Sequence, residues 1–266
     1  MENQEEELWK VSQGDQPILA TAVHSGHKLR RELLDITGLK EADRFREEDP
    51  FTDHWAKALP THIIPYYSRF EVDLNRSREE AFYEKPEDAW GLSLWKKPPS
   101  AEMVQRSLGY YDSFYSQLKS MLDSMEERFG HFVVLDLHSY NHRRGGPEAP
   151  PEDPSLNPEV NLGTGTMDRN RWAPLVDRFL HDLRNFDFMG RKLDVRENIK
   201  FVGRNIPGWV HRNYSKTGCA LAIEFKKFFM DEWSGEPDWD QLNTIRSAVL
   251  STIPGLLEEL KKSDKN

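Results

Sequence analysis

The sequence predicts an α/β fold, an open and mainly parallel sheet flanked by helices. Three observations carry this expectation. Short, continuous apolar runs recur at 17–23, 131–140 and 220–225, the pattern of strands buried on both faces. A long amphipathic segment over 101–129 separates two of them, with Phe114, Tyr115, Leu118, Met121, Leu122 and Met125 at helical spacing. Strands alternating with helices favour parallel pairing through crossovers.

Each element has a local reason. Residues 17–23 (PILATAV) are strand-like and stop at His24-Ser25-Gly26-His27. Residues 28–35 read as a turn or two of helix. In 62–74, Pro65 interrupts a β-rich stretch, after which Phe70, Val72 and Leu74 alternate with Glu71, Asp73 and Asn75, which is strand period. Gly130 stands where a helix over 101–129 would end in a left-handed residue. Residues 143–166 hold most of the Pro and Gly density and predict a long, functional loop. Asp168 is placed to cap a helix over 169–184, and 238–262 predict a closing helix broken at Pro254-Gly255. The 266 residues are expected to form one domain, with 1–12 a flexible N-terminus and 262–266 a tail.

Composition excludes several classes. A net charge of −9 argues against a general nucleic-acid binder. Aromatics at 11% are too many for a disordered chain, so the mean hydropathy of −0.75 reflects a charged surface. The lone Cys219 excludes an internal disulfide and Cys-rich zinc sites, whereas nine His leave His/carboxylate sites open. The acidic start lacks the pattern of a signal peptide, and no apolar run is long enough to span a membrane. A cytoplasmic protein without membrane contact is therefore expected.

In open α/β sheets the ligand sits at the carboxyl ends of strands. Here those ends carry His24, the segment Glu71–Arg76, the segment Asp136–His142 and Glu224. Two His at different strand ends with carboxylates nearby point to one bound Zn2+, since a catalytic zinc takes three protein ligands and keeps a position open. His24 and His138 supply two. The third comes from the acidic segment 46–53 or from His27. Asn75 and Arg76 offer a guanidinium fork and an amide to a carboxylate. Glu224, set between Ile223 and Phe225, suits a general base for an activated water. Asp136, two residues before His138, is expected to support that His or the fold.

These segments resemble the N-formylglutamate amidohydrolase family, whose fold is related to the zinc carboxypeptidases. The elements carrying the resemblance are His24-Ser25-Gly26, Glu48-Asp49-Pro50, Val72–Arg76, Asp136–Ser139, Asn161–Thr164 and Ile223-Glu224, in family order over about residues 20–230. The resemblance implies a three-layer, phosphorylase/hydrolase-like sheet and a zinc hydrolase of linear amides. It implies His24, Asp49 or Glu48, and His138 as metal ligands, with Asp49 ranked first and His27 as rival. It further implies Glu224 as general base, Asn75 and Arg76 on the substrate carboxylate, and Tyr140, in the segment similar to the carboxypeptidase His-Ser-Tyr, at the substrate. Arg212 matches an Arg of the deformylases and is assigned to the oxyanion, although its flanks (PGWVHRNY) depart from the family stretch. The expected partner is a small anionic substrate with a free carboxylate. A peptidase or a non-catalytic binding protein on the same fold are the competing readings.

Overall fold

A computed structural model describes residues 7–263. Its centre is one seven-stranded sheet of order β1-β3-β2-β4-β7-β5-β6. The strands are β1 (Trp9–Ser12), β2 (Ile18–Thr21), β3 (Thr61–Pro65), β4 (Phe132–Tyr140), β5 (Val160–Gly163), β6 (Val195–Glu197) and β7 (Gly218–Lys226). β3, β2, β4 and β7 run parallel, while β1 and β5 pair antiparallel with β3 and β7. The sheet is thus mixed and mainly parallel, as the apolar runs predict.

The helices are α1 (Arg31–Leu34), α2 (Glu41–Glu47), α3 (Thr52–Ala56), α4 (Ala101–Phe129), α5 (Ala173–Asn185), α6 (Asn205–Asn213) and α7 (Trp239–Ser263). Strand alternation divides the core into two layers. Val133, Leu135, Leu221 and Ile223 pack with α3, α5 and α7, whereas Phe132, Val134 and Ala220 pack with α4 and α6. α4 begins where Ser100 Oγ accepts the Met103 N–H and ends at Gly130, φ +75°, as the sequence predicts. That cap contributes about 1 kcal/mol.

Several expectations change. Residues 70–74 form turns, not a strand. Both alternating sets are buried, because the polar set has buried partners of its own: Glu71 accepts from Arg30 and Ser107, and Asp73 from Arg69 and Tyr83. α7 runs through Pro254-Gly255 without a break. A Cβ at Gly255 would lie 2.1 Å from Asp182 Oδ2 and 2.6 Å from Arg178 Nε of α5, so a larger residue there would have to displace these side chains. Asp168 caps only the turn before α5, accepting from Asn170 and Arg171, and the helix starts at Ala173. The loop 143–166 contains β5. Trp9–Ser12 are strand rather than flexible terminus, and α7 extends to Ser263. Residues 1–6 and 264–266 of the expected end segments lie outside the described residues. No described helix is long and apolar enough to cross a membrane.

Candidate metal centre and active site

The carboxyl ends of β2, β4 and β7 open into a cavity of about 430 Å³ lined by His24, Asp49, His138, Glu224, Arg76 and neighbours. His24 follows β2 in a turn closed by Ser25 N–H to Ala22 O. The next residue but one must be glycine, since a Cβ at Gly26 would lie 2.2 Å from Tyr67 O. Asp136 and His138 project from the α4/α6 face of β4, because Val133, Leu135 and Leu137 fill the other. In the parallel register His138 pairs with Glu224 of β7. The strand ladder thus sets a carboxylate directly beside a histidine.

Asp49 arrives from the turn after α2. Its N–H donates to His24 O at 2.9 Å, and Phe51 turns the chain in left-handed backbone, φ +69°. Its Oδ2 lies 2.9 Å from His138 Nδ1 and 3.4 Å from His24 Nδ1. The ligand atoms of His24, Asp49 and His138 all fall within 4.8 Å of one another, and all three residues are buried. Both remote ring nitrogens meet carboxylates: His24 Nε2 lies 2.6 Å from Asp73, and His138 Nε2 lies 3.1 Å from Asp136 Oδ2. Such partners fix the tautomer that turns Nδ1 toward a metal. The fully buried Asp136 carboxylate makes no well-formed hydrogen bond, although this ion-pair contact is short enough for one. It is an under-satisfied acceptor of the kind a doubly engaged imidazole would complete. The donor set of two imidazoles and a carboxylate, with a cavity beside it, fits zinc.

The rivals for the third ligand point elsewhere. His27 Nδ1 meets Glu48 Oε2 at 2.5 Å, and Glu48 also accepts from Ser68. The acidic segment therefore brings Asp49 alone to the two histidines.

Electrostatics separate the carboxylates. Burial alone would raise Asp49, but its contacts with His138 and His24 outweigh this and hold it well below the usual carboxylate range. Glu224 is pushed up to about 7, first by burial and then by Asp49 and Asp136, with His138 opposing. It is half-buried on the cavity wall, a carboxylate poised for proton transfer near neutrality.

Other expected residues are placed differently. Arg76 lines the cavity, stacked 4.5 Å from the Tyr83 ring, with Nη2 donating to Asp88 O. Asn75 lines it too, but its Oδ1 accepts the Ile206 N–H at 3.0 Å and its Nδ2 lies 3.1 Å from His138 Nε2. Its Oδ1 is thus committed to α6. Tyr140 presents its ring, and its hydroxyl donates away to Pro158 O. Arg212, expected at the oxyanion, is exposed near the end of α6 and is not among the residues lining the cavity. Arg204, eight residues earlier and about 12 Å back along the axis by helical rise, does line it.

Sequence reasoning passed over Arg69, Arg204 and Lys227. Arg69 donates to Asp73 Oδ2 at 2.9 Å and so supports the partner of His24. Lys227 is fully buried and donates to Arg46 O and Glu48 O at 2.6 and 2.7 Å, fastening the segment that carries Asp49. Burial pushes its ammonium down to about 8. The signal was available: Ile223, Phe225 and Lys227 share one strand phase.

Comparison with known proteins bears on the fold and the family. The structure of N-formylglutamate amidohydrolase from Ralstonia eutropha JMP134 superposes with a TM-score of 0.74 at 17% identity, over 96% of this chain and 99% of that one. A gene product of Agrobacterium tumefaciens gives 0.63 at 17% identity, over 98% and 97%. These likenesses show the fold. A metallo-carboxypeptidase from Pseudomonas aeruginosa reaches only 0.39 at 16% identity, over 91% of this chain and 57% of that one. No curated protein matches the sequence. A family model described as N-formylglutamate amidohydrolase matches residues 16–230. That span runs from the start of β2 past the end of β7 and takes in every strand-end residue of the cavity, so the chain belongs to the N-formylglutamate amidohydrolase family.

Proposed function

We propose that this chain is a zinc-dependent amidohydrolase that cleaves the amide bond of a small N-acyl amino acid. The observation carrying this reading is the pairing of Glu224 with His138 across β7 and β4, beside the convergence of His24, Asp49 and His138. His24, Asp49 and His138 would hold the ion. Bound there, zinc supplies Lewis acidity to the amide carbonyl and acidifies water. Glu224 takes the proton from the attacking water and returns it to the leaving amine, a relay suited to a carboxylate with its proton affinity near neutral pH. Arg76 binds the substrate carboxylate and orients the scissile bond toward Glu224. Arg69 and Asp73 keep His24 in register. A small substrate is favoured over a peptide because Arg144, from the loop 143–166, joins the wall of a cavity of about 430 Å³, the size of a small-molecule site.

The test is hydrolysis of N-formyl and N-acetyl amino acids by zinc-supplemented protein, with Glu224→Gln beside the wild type. The variant is expected to retain its zinc and to lose about 10²–10⁴-fold in kcat. Full activity of the variant, or turnover undiminished after complete removal of metal, would rule the mechanism out.

A further inference from the structure

Six cationic side chains line the cavity, and four of them are committed within the protein. Arg69 donates to Asp73, to the Tyr83 hydroxyl and to Glu47 O. Arg144 pairs with Glu47 at 3.2 Å. Lys200 donates to Glu152 and to the Asn157 side chain. Lys227 holds the two carbonyls of 46 and 48. Arg76 gives only Nη2 to Asp88 O and rests 3.6 Å from Asp73. Arg204 makes no side-chain hydrogen bond or ion pair among the described residues, yet it lines the cavity.

The backbone sets these last two side by side. Asn205 N–H donates to Asn75 O, and Ile206 N–H to Asn75 Oδ1, so Arg76 and Arg204 leave adjacent points of one junction. The segment bearing Arg204 is fixed. Asn161 Oδ1 accepts the N–H groups of Ile199 and Lys200, and Asn161 Nδ2 donates to Phe201 O. A Cβ at Gly163 would lie 2.5 Å from Gly203 N, and Gly203 itself has φ +96°. These contacts give the Asn161-Leu162-Gly163 segment a structural purpose. It fixes the backbone from which the exposed, unpaired Arg204 side chain leaves.

Three aromatic residues, Trp90, Tyr140 and Phe201, also line the cavity, beside the polar Asn75, Ser139 and Asn141. Trp90 is 47% exposed and ends the 3-10 turn Pro86–Ala89 in left-handed backbone, φ +54°. The Arg69 guanidinium lies over its ring at 4.7 Å.

We propose, resting on the amidohydrolase reading above, that the substrate is an N-acyl amino acid with a single carboxylate and an aromatic side chain. Arg76 and Arg204 grip the carboxylate, and the side chain lies against Trp90 and Phe201. After that grip no uncommitted cation remains. A second carboxylate, as in N-formylglutamate, would lose water beside Glu47 and Glu224 with no uncommitted cation to balance it, and an unbalanced buried charge is strongly disfavoured.

Calorimetric titration of zinc-supplemented Glu224→Gln protein tests this, using N-formylphenylalanine, N-formylglutamate and N-formylphenylalaninamide. The phenylalanine compound is expected to bind about tenfold or more tighter than the glutamate compound. Adding Arg204→Ala weakens it about tenfold, the loss of a charged hydrogen bond, and leaves the amide, which lacks the carboxylate, unchanged. Arg204→Lys recovers part of that loss, and Trp90→Ala weakens the phenylalanine compound but not the glutamate one. Equal or tighter binding of the glutamate compound, or no response to Arg204→Ala, overturns the proposal. If no compound binds, the amidohydrolase reading falls with it. If binding follows the expected order but wild-type protein turns none over, the selectivity stands and the assigned reaction falls.

Discussion

At the scale of single residues, the site depends on what stands behind the ligands. His24 and His138 each present Nδ1 to the candidate metal position, and each has a carboxylate at Nε2. The two carboxylates differ. Asp73 is supplied by Arg69, the Tyr83 hydroxyl and the Asn75 N–H, so burial is outweighed by His24 and Arg69 and its carboxyl is held well below the usual range. Asp136 accepts no hydrogen bond, has the His138 contact as its one ion pair among the described residues, and is wholly buried. It therefore contributes little unless the imidazole keeps its Nε2 proton, which a metal at Nδ1 ensures. Asp136→Asn is expected to fold and to weaken zinc binding by about 10–100-fold, read by competition with a chelator of known affinity. Unchanged zinc affinity would show that Asp136 serves the sheet and not the metal. These residue-level relations were partly legible in the sequence. His24, His138 and Glu224 stand out because a polar residue at the end of an apolar strand needs a reason. That Asn75 and Tyr140 turn their polar ends into the protein is decided by partners at Ile206 and Pro158, far away in sequence and invisible to local pattern.

At the scale of elements, α6 shows how a helix with weak sequence signals is fixed by tertiary contacts. It contains Pro207 and Gly208, yet Pro207 falls in the first turn, where its missing N–H costs nothing. Its His211 is buried against β7, with Nε2 accepting the Ala220 N–H at 3.0 Å and Nδ1 meeting Thr166 Oγ1 at 3.0 Å. Burial pushes this imidazole down to about 4. Below the ordinary value of 6.5 the unfolded chain takes up a proton that the native state refuses until about pH 4. Stability from His211 is thus complete above pH 6.5 and lost as pH falls, up to roughly 3 kcal/mol. His211→Gln is expected to be less stable at pH 7 but to lose less on acidification to pH 4.5, as read by urea unfolding at both pH values. Parallel losses in variant and wild type would refute the assignment. The same contrast explains which elements the sequence displays. β2, β4, β7 and α4 carry their own apolar pattern. β1, β6 and α2 are short or charged and exist because neighbours pair with them or cover them. At 70–74 the alternation was real but reported a buried polar network, since both phases had partners inside the molecule.

At the scale of the whole molecule, the net charge of −9 conceals a division. The cavity gathers six cations around three acidic residues, Glu47, Asp49 and Glu224, while acid prevails over the sequence as a whole. An anion is thus drawn to one place on a protein that otherwise repels it. Buried charge also collects around the histidines of the cavity, and its desolvation opposes folding: Asp49, Asp73 and Asp136 are all buried. A dication held by His24, Asp49 and His138 would offset part of that cost and would join segments separated by up to 114 positions in the chain. Metal binding should therefore appear as stability of the entire sheet and not of one loop. Ligand that binds only the native state adds about 2.7 kcal/mol at a free concentration one hundred times its Kd. Zinc is expected to raise the Tm of chelator-treated protein in a concentration-dependent way, with a single transition retained. His138→Ala should abolish that rise, and Arg212→Ala, outside the cavity lining, should leave it intact. A Tm that ignores zinc, or that rises equally in His138→Ala, would remove the metal centre from this account of the fold.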